Sequence, residues 1–496
     1  MTEVSVLAQS SLGDLRGVQL DGVVQFRGVP YAKPPVGDLR FAPPCSIIPW
    51  TGVREAREHG FMAPQPPSRL RDVVGDSSRP QNEDCLTLTI STPAVDRKAR
   101  PVVVFLHGGA YIAGAGSLDW YDGTTLAKEG DLVVVGVNYR LGALGFLFHP
   151  GVSKGMLGVL DMIEALKWVR DHIRNFGGDP DQVTVMGQSA GGHAILSILA
   201  MPDDPNLFRR AILQSTPVGI PPFAETRALE YGNRLMASLN IPQGDMEDVA
   251  HQLKKQSTTH LIKAMGEVAR STSQFGKITP PFMPVLDSIS TTDHFIEAAA
   301  KGAGAKGVDL IIGTTGEEAN AFLKVPLKQN LDPALVSKRF LELTGRADAI
   351  DLYRHRRPGG TMVDLLSDLV TDYIFLYPSL QFAEAATKAG VRTWVYQFDW
   401  APANSPYSAC HCIELPFVFG TLQAWNDAEM LRGADKETMR NLSATIRFAW
   451  SAFAHTGDPK TERMAWPEYR LDGRQTMRFA NTVGPVGDAA GIKWRV

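Results

Sequence analysis

Residues 182–201 constrain this chain most. An apolar run, Gln182-Val183-Thr184-Val185-Met186, leads into Gly187-Gln188-Ser189-Ala190-Gly191, and an apolar stretch of helical character follows over 190–201. A strand that enters a helix through so tight a turn lifts the serine hydroxyl clear of the sheet edge. Small residues at 187, 190, 191 and 192 let the turn pack without Cβ clashes. The five-letter pattern alone is weak. Glycine supplies 46 of 496 residues, so a serine flanked this way arises by chance in roughly one such chain in five. The strand before it and the helix after it carry the weight.

The surroundings extend the pattern. Residues 102–106 and 132–135 are short, continuous runs rich in valine, as expected of strands covered on both faces. Val159, Ile163, Leu166, Val169 and Ile173 recur at helical spacing, which predicts an amphipathic helix over 159–176, stopped by Gly177-Gly178-Asp179-Pro180. Strand-like runs return at 308–312 and 393–398. Before them 220–300 is helical in pattern, broken by Pro280, Pro281 and Pro284, and the Ala/Gly segment 297–307 reads as a helix end plus a loop. Such alternation predicts an α/β fold, a mostly parallel central sheet flanked by helices. No linker or repeat divides the chain. The expectation is one domain over 1–496 with helical insertions at roughly 220–300 and 320–380.

Fifty basic against 53 acidic residues leave a net charge of −3. That balance, without basic clusters, argues against nucleic-acid binding. Cys45, Cys85, Cys410 and Cys412 form neither a disulfide framework nor a metal-spaced set. The N-terminal residues 1–17 lack the charged start and apolar stretch of a leader. The longest stretches free of charged side chains, 101–118 and 182–202, are broken by glycines and histidines, so no membrane span is expected. A cytoplasmic monomer or small homo-oligomer, without metal or organic cofactor, is the expectation.

A serine hydroxyl attacks a carbonyl only when a base takes its proton and donors hold the oxyanion. His107-Gly108-Gly109-Ala110 follows the 102–106 strand. The backbone N–H groups of Gly109 and Ala110, with that of Ala190, are the candidate donors, and His107 reads as a brace for the loop. In α/β-hydrolases the chain order is serine, acid, histidine, each on a loop after a strand. Gly313-Thr314-Thr315-Gly316-Glu317-Glu318 follows the first later strand, and Cys410-His411-Cys412 lies beyond the second. His355 and His455 fall in or beside helical patterns. Ser189, His411 and one of Glu317 and Glu318 satisfy order and context; composition does not separate the two glutamates.

The chain resembles the type-B carboxylesterases, the family of cholinesterases and bacterial para-nitrobenzyl esterases. Phe26-Arg27-Gly28-Val29-Pro30-Tyr31-Ala32, Glu83-Asp84-Cys85-Leu86, His107–Ala110, Asn138-Tyr139-Arg140-Leu141-Gly142 and Asn175–Pro180 carry the resemblance. The Ser189 turn, Phe208–Ser215, His411–Gly420 and the 453–459 segment complete the series in the family's order. It implies an α/β-hydrolase fold with a mixed sheet and a deep gorge, walled by the insertions. It implies Ser189 as nucleophile, His411 as base and Glu318 as the acid, acting on small-molecule carboxylic esters. It also implies two structural ion pairs, Arg40 with Glu83 and Arg140 with Asp161.

Departures narrow the reading. Secreted relatives pair the cysteine at 85 with an earlier one, whose motif position here falls near Ala63. Residues 66–84 hold no aromatic ring on which a quaternary ammonium could sit, which disfavours a cholinesterase. Gln188 stands where many relatives have glutamate, removing a negative charge beside the imidazole. Cys410 and Cys412 read as small residues in tight backbone. Resemblance to bacterial phenylcarbamate hydrolases, at Gly187-Gln188-Ser189 and from Gln274-Phe275-Gly276 onward, makes carbamate or amide cleavage by the same triad the alternative. Non-catalytic adhesion relatives make an interaction protein the remote one. Phe275, Phe282, Met265 and Met283 stand out in the 220–300 insertion, with core packing the default reading.

Overall fold

The computed structural model describes residues 4–201, 206–242, 244–324 and 331–488. Residues 1–3 of the N-terminal segment, Pro202 at the end of the charge-free 182–202 stretch, and 243 and 325–330 within the insertions lie outside the described residues.

The strands in chain order are β1 (Val4–Ala8), β2 (Asp14–Leu20), β3 (Val23–Pro30), β4 (Val53–Glu55), β5 (Thr87–Thr92), β6 (Arg100–Leu106) and β7 (Val133–Val137). They continue with β8 (Phe148–His149), β9 (Ser153–Lys154), β10 (Gly178–Gln188), β11 (Arg210–Gln214), β12 (Asp309–Thr315), β13 (Thr393–Phe398), β14 (Gln475–Phe479) and β15 (Gly484–Gly487). The large sheet runs β1-β2-β3-β5-β7-β6-β10-β11-β12-β13-β14-β15, with β4 beside β2, while β8 and β9 pair separately. From β7 through β14 neighbours are parallel. The β1–β2–β3–β5–β7 side and the β14–β15 edge are antiparallel. The expected parallel sheet is thus the centre of a mixed one.

Alternation along β6 shows why the sheet is covered twice. Val102, Val104 and Leu106 join one hydrophobic cluster with the helices Leu157–His172 and Ala190–Ala200. Val103 and Phe105 join a second cluster with the long helix Lys436–Thr456. Every residue of β6 is buried, and each Val or Leu removed from water contributes about 1.5–3 kcal/mol.

The helix expected over 159–176 is an α-helix, Leu157–His172, tightening into a 3₁₀ turn, Ile173–Phe176. The 297–307 segment differs from expectation. Helix Thr292–Lys306 runs through it, and only Gly307, at φ 63°, leaves the helix. The glycines there serve contact rather than a break, for a Cβ on Gly302 would lie 1.8 Å from the carbonyl oxygen of Leu199 in the neighbouring helix. Further helices, Glu225–Ser238, Met246–Lys254, Thr258–Thr272, Pro333–Thr344, Ala349–Arg356, Met362–Val370 and Tyr377–Lys388, occupy the two insertion regions.

Both ion pairs form. Arg40 Nε donates to Glu83 at 2.7 Å, and buried Arg140 meets Asp161 at 2.6 Å and 2.8 Å. Among the described residues no helix is long and apolar enough to cross a membrane.

Candidate active site

Ser189 sits between the last residue of β10 and the first of helix Ala190–Ala200, at φ 54° and ψ −119°. Two backbone bonds hold this unusual conformation. Its N–H donates to Gln214 O of β11 at 2.8 Å, and its carbonyl accepts from His193 N at 3.0 Å. The helix can start this close to the sheet only because Gly191 has no side chain: a Cβ there would lie 1.9 Å from Leu106 O of β6.

Glu318 and His411 come from loops beyond β12 and β13. His411 Nδ1 donates to Glu318 Oε2 at 2.5 Å, and both side chains are 1% exposed or less. Glu318 Oε1 accepts from Thr315 N at 2.8 Å, so both carboxylate oxygens are engaged. Glu317 turns away and accepts from Ala409 N at 3.2 Å. Geometry therefore separates the two glutamates where composition did not. With Nδ1–H given to Glu318, His411 Nε2 is an acceptor, and it faces the Gln188 amide at 3.2 Å. The same amide reaches Cys412 Sγ at 3.4 Å. Among the described residues Ser189 Oγ makes no hydrogen bond within 3.5 Å. Phe322 and Phe375 lie against the imidazole, with ring centroids at 5.0 and 5.2 Å. Phe375 belongs to a π-helical turn, Thr371–Leu376, a feature absent from the sequence reading.

After β6 the chain turns through His107-Gly108-Gly109-Ala110. Gly109 has φ 110° and Ala110 φ 55°. Among the described residues the N–H groups of Gly109, Ala110 and Ala190 form no hydrogen bond, and all three residues border the cavity that contains Ser189. His107 is buried, stacked on Tyr139 at 4.2 Å, with Nδ1 donating to Gly108 O at 2.7 Å. Burial lowers its pKa to about 4. It holds the loop, as expected. His193, unlike His107, has both nitrogens engaged, by Tyr111 Oη at 2.7 Å and Ile220 O at 2.9 Å. His355 and His455 lie on helices Ala349–Arg356 and Lys436–Thr456.

The cavity measures about 310 Å³. Met265, Phe282 and Met283 line it, so these side chains serve the wall as well as the core; Phe275 packs on the core instead. Phe322 and Phe375 come from the second insertion region. A third wall, residues 62–81, was not foreseen. All four cysteines are free, and Cys85, Cys410 and Cys412 are buried. Behind the imidazole, burial and then the charge of Glu318 push the Glu414 carboxyl up to about 8.

The model of the carboxylesterase family matches residues 4–489. Para-nitrobenzyl esterase of Bacillus subtilis (strain 168) is 37% identical, over 95% of this chain and 94% of its own. Phenmedipham hydrolase of Pseudarthrobacter oxydans is 35% identical, over 94% and 93%. A solved thermophilic PNB esterase superposes with a TM-score of 0.86 at 33% identity, covering 98% of both chains. With its α/β-hydrolase sheet, the chain belongs to the carboxylesterase family and is a serine-type carboxylic ester hydrolase.

Proposed function

We propose that Ser189, His411 and Glu318 form the catalytic triad of this esterase, and that Gly109, Ala110 and Ala190 supply its oxyanion hole. Ser189 Oγ attacks the ester carbonyl as His411 Nε2 takes its proton. Glu318 holds the imidazole in the tautomer with Nδ1–H and stabilises the imidazolium. The three backbone N–H groups receive the oxyanion. His411 then protonates the departing alcohol, and water, activated at the same nitrogen, releases the acid from the acyl-enzyme. The single observation that carries this reading is the bond from His411 Nδ1 to Glu318 at 2.5 Å, in a buried site that opens on Ser189.

We further propose that the chain works as one unit, its two helical regions walling a gorge that admits small-molecule esters. Aryl carbamates are the second reading. The relation to phenmedipham hydrolase favours it, and the carbamoyl-enzyme would form at the same serine.

The test is hydrolysis of matched para-nitrophenyl esters and an aryl carbamate by wild type and Ser189→Ala. Loss of at least about 10⁴-fold in kcat on esters supports the assignment. Unchanged turnover in the variant overturns it. The ester-to-carbamate ratio of the wild type decides between the substrate classes.

A further inference from the structure

The 62–81 wall brings one cation to the cavity. Residues 62–81 cross the cavity as a strap, clamped to the oxyanion loop at Gln65. Its side chain donates to Gly114 O at 2.9 Å and accepts from Gly114 N at 2.6 Å. The far end is fastened by Gln81, whose Oε1 accepts from Gln65 N at 3.0 Å. Three arginines lie on this strap. Arg79 pairs with Asp119 at 2.5 Å and donates to Ser117 O at 2.8 Å. Arg71 meets Asp72 at 3.7 Å, is exposed, and is not among the residues that line the cavity. Arg69 lines the cavity, and among the described residues it makes neither an ion pair nor a hydrogen bond.

Arg69 is the only Lys or Arg in the cavity wall among the described residues, a wall that also includes the apolar Leu70, Val74, Trp120 and Phe282. Asp76, the one acidic wall residue, is exposed and not within 4.0 Å of it. Arg69 is exposed at the cavity wall, and the protein packed around it lowers its pKa by desolvation. An unpaired guanidinium on a largely apolar cavity wall has its planar fork free for a bidentate anion.

We propose that Arg69 receives an anionic group of the substrate, so that the favoured esters carry a carboxylate remote from the scissile bond. This rests on the reading of Ser189 as the nucleophile in the same cavity. The neutral ester function reacts at Ser189 while the second, ionised group anchors the molecule at the strap. Such an anchor is made alike in ground state and transition state, so it lowers KM rather than raising kcat.

The experiment compares mono-para-nitrophenyl esters of dicarboxylic acids of increasing length with para-nitrophenyl esters of neutral acids of equal length. A second series places the carboxylate on the leaving group, as in acyl esters of hydroxybenzoates. Wild type, Arg69→Gln, Arg69→Lys and, as a control for general charge, Arg71→Gln are compared by the anionic-to-neutral ratio of kcat/KM. In at least one series the wild type favours the anionic ester. That ratio falls roughly ten- to a hundredfold in Arg69→Gln, through KM. It is partly kept in Arg69→Lys, unchanged in Arg71→Gln, and shrinks with added salt. No anionic preference in either series, or a ratio equal in wild type and Arg69→Gln, overturns the proposal. Affinities of the same esters for Ser189→Ala, with and without Arg69→Gln, keep it separate from the triad. Should Ser189→Ala still turn the esters over, the triad reading fails, and the affinity difference still decides Arg69.

Discussion

The side-chain amide of Gln188 lies 3.2 Å from His411 Nε2, the nitrogen that faces away from Glu318. In the triad reading this is the atom that must accept the serine proton, so the resting imidazole is held by a neutral neighbour that Ser189 displaces. A carboxylate at 188 would favour the imidazolium instead. In Gln188→Glu the acidic limb of the kcat/KM profile should move up by about one pH unit. Identical midpoints in a pH–rate comparison would contradict this.

Glu318→Gln preserves shape and removes the charge opposite Nδ1. An amide can offer its N–H to the imidazole and select the wrong tautomer. The expected loss is about 10⁴-fold in kcat, with little change in KM. Steady-state kinetics beside a thermal melt checks it, since a folded but slow enzyme is the required outcome.

Gly109 is held at φ 110°, and a Cβ would lie 1.9 Å from Ala113 O. Gly109→Ala must therefore shift the loop that carries two of the proposed oxyanion donors. Losing one donor costs about 2.7–4 kcal/mol of transition-state stabilisation, or 10²–10³ in kcat. A variant that keeps wild-type kcat would remove Gly109 and Ala110 from the oxyanion hole.

Glu414 has a folded pKa near 8, against about 4.3 in an unfolded chain. The folded state therefore binds the extra proton between those values, and stability falls as pH rises through that window. Below it the contribution is complete; above about 8 it is gone. Melting temperature measured across this window should decline less steeply in Glu414→Gln. Some slope remains, because buried Asp372 is pushed up to about 8 as well. An unaltered slope in the variant would refute the assignment.

What could be read from sequence was local or periodic. The run at 393–398 is the strand Thr393–Phe398, because an apolar segment buried on both faces announces itself by composition. The serine turn was legible because a close approach leaves only small residues possible. The antiparallel N-terminal ladder was missed although one signal was present: Asp21-Gly22, both at positive φ, joins β2 to β3 with Leu20 opposite Val23. The 297–307 segment misled because glycine there means helix-to-helix contact at Leu199 rather than termination. Gln188 stood out for the charge it lacks, but its hydrogen bond to His411 spans 223 residues of chain. No spacing rule reaches that far. Arg69 gave no sign either, since an unpaired arginine is defined by partners that only the fold can deny it.

The backbone at Ser189, φ 54° and ψ −119°, has a further consequence. A non-glycine residue held in such a region stores on the order of 1–3 kcal/mol. Glycine at this corner would release most of that tension, so Ser189→Gly should melt above the wild type while hydrolysing nothing. Ruggedness and reactivity then pull in opposite directions at one residue. Any directed-evolution campaign that selects this enzyme on heat resistance alone would enrich dead molecules first, and must read turnover in every round.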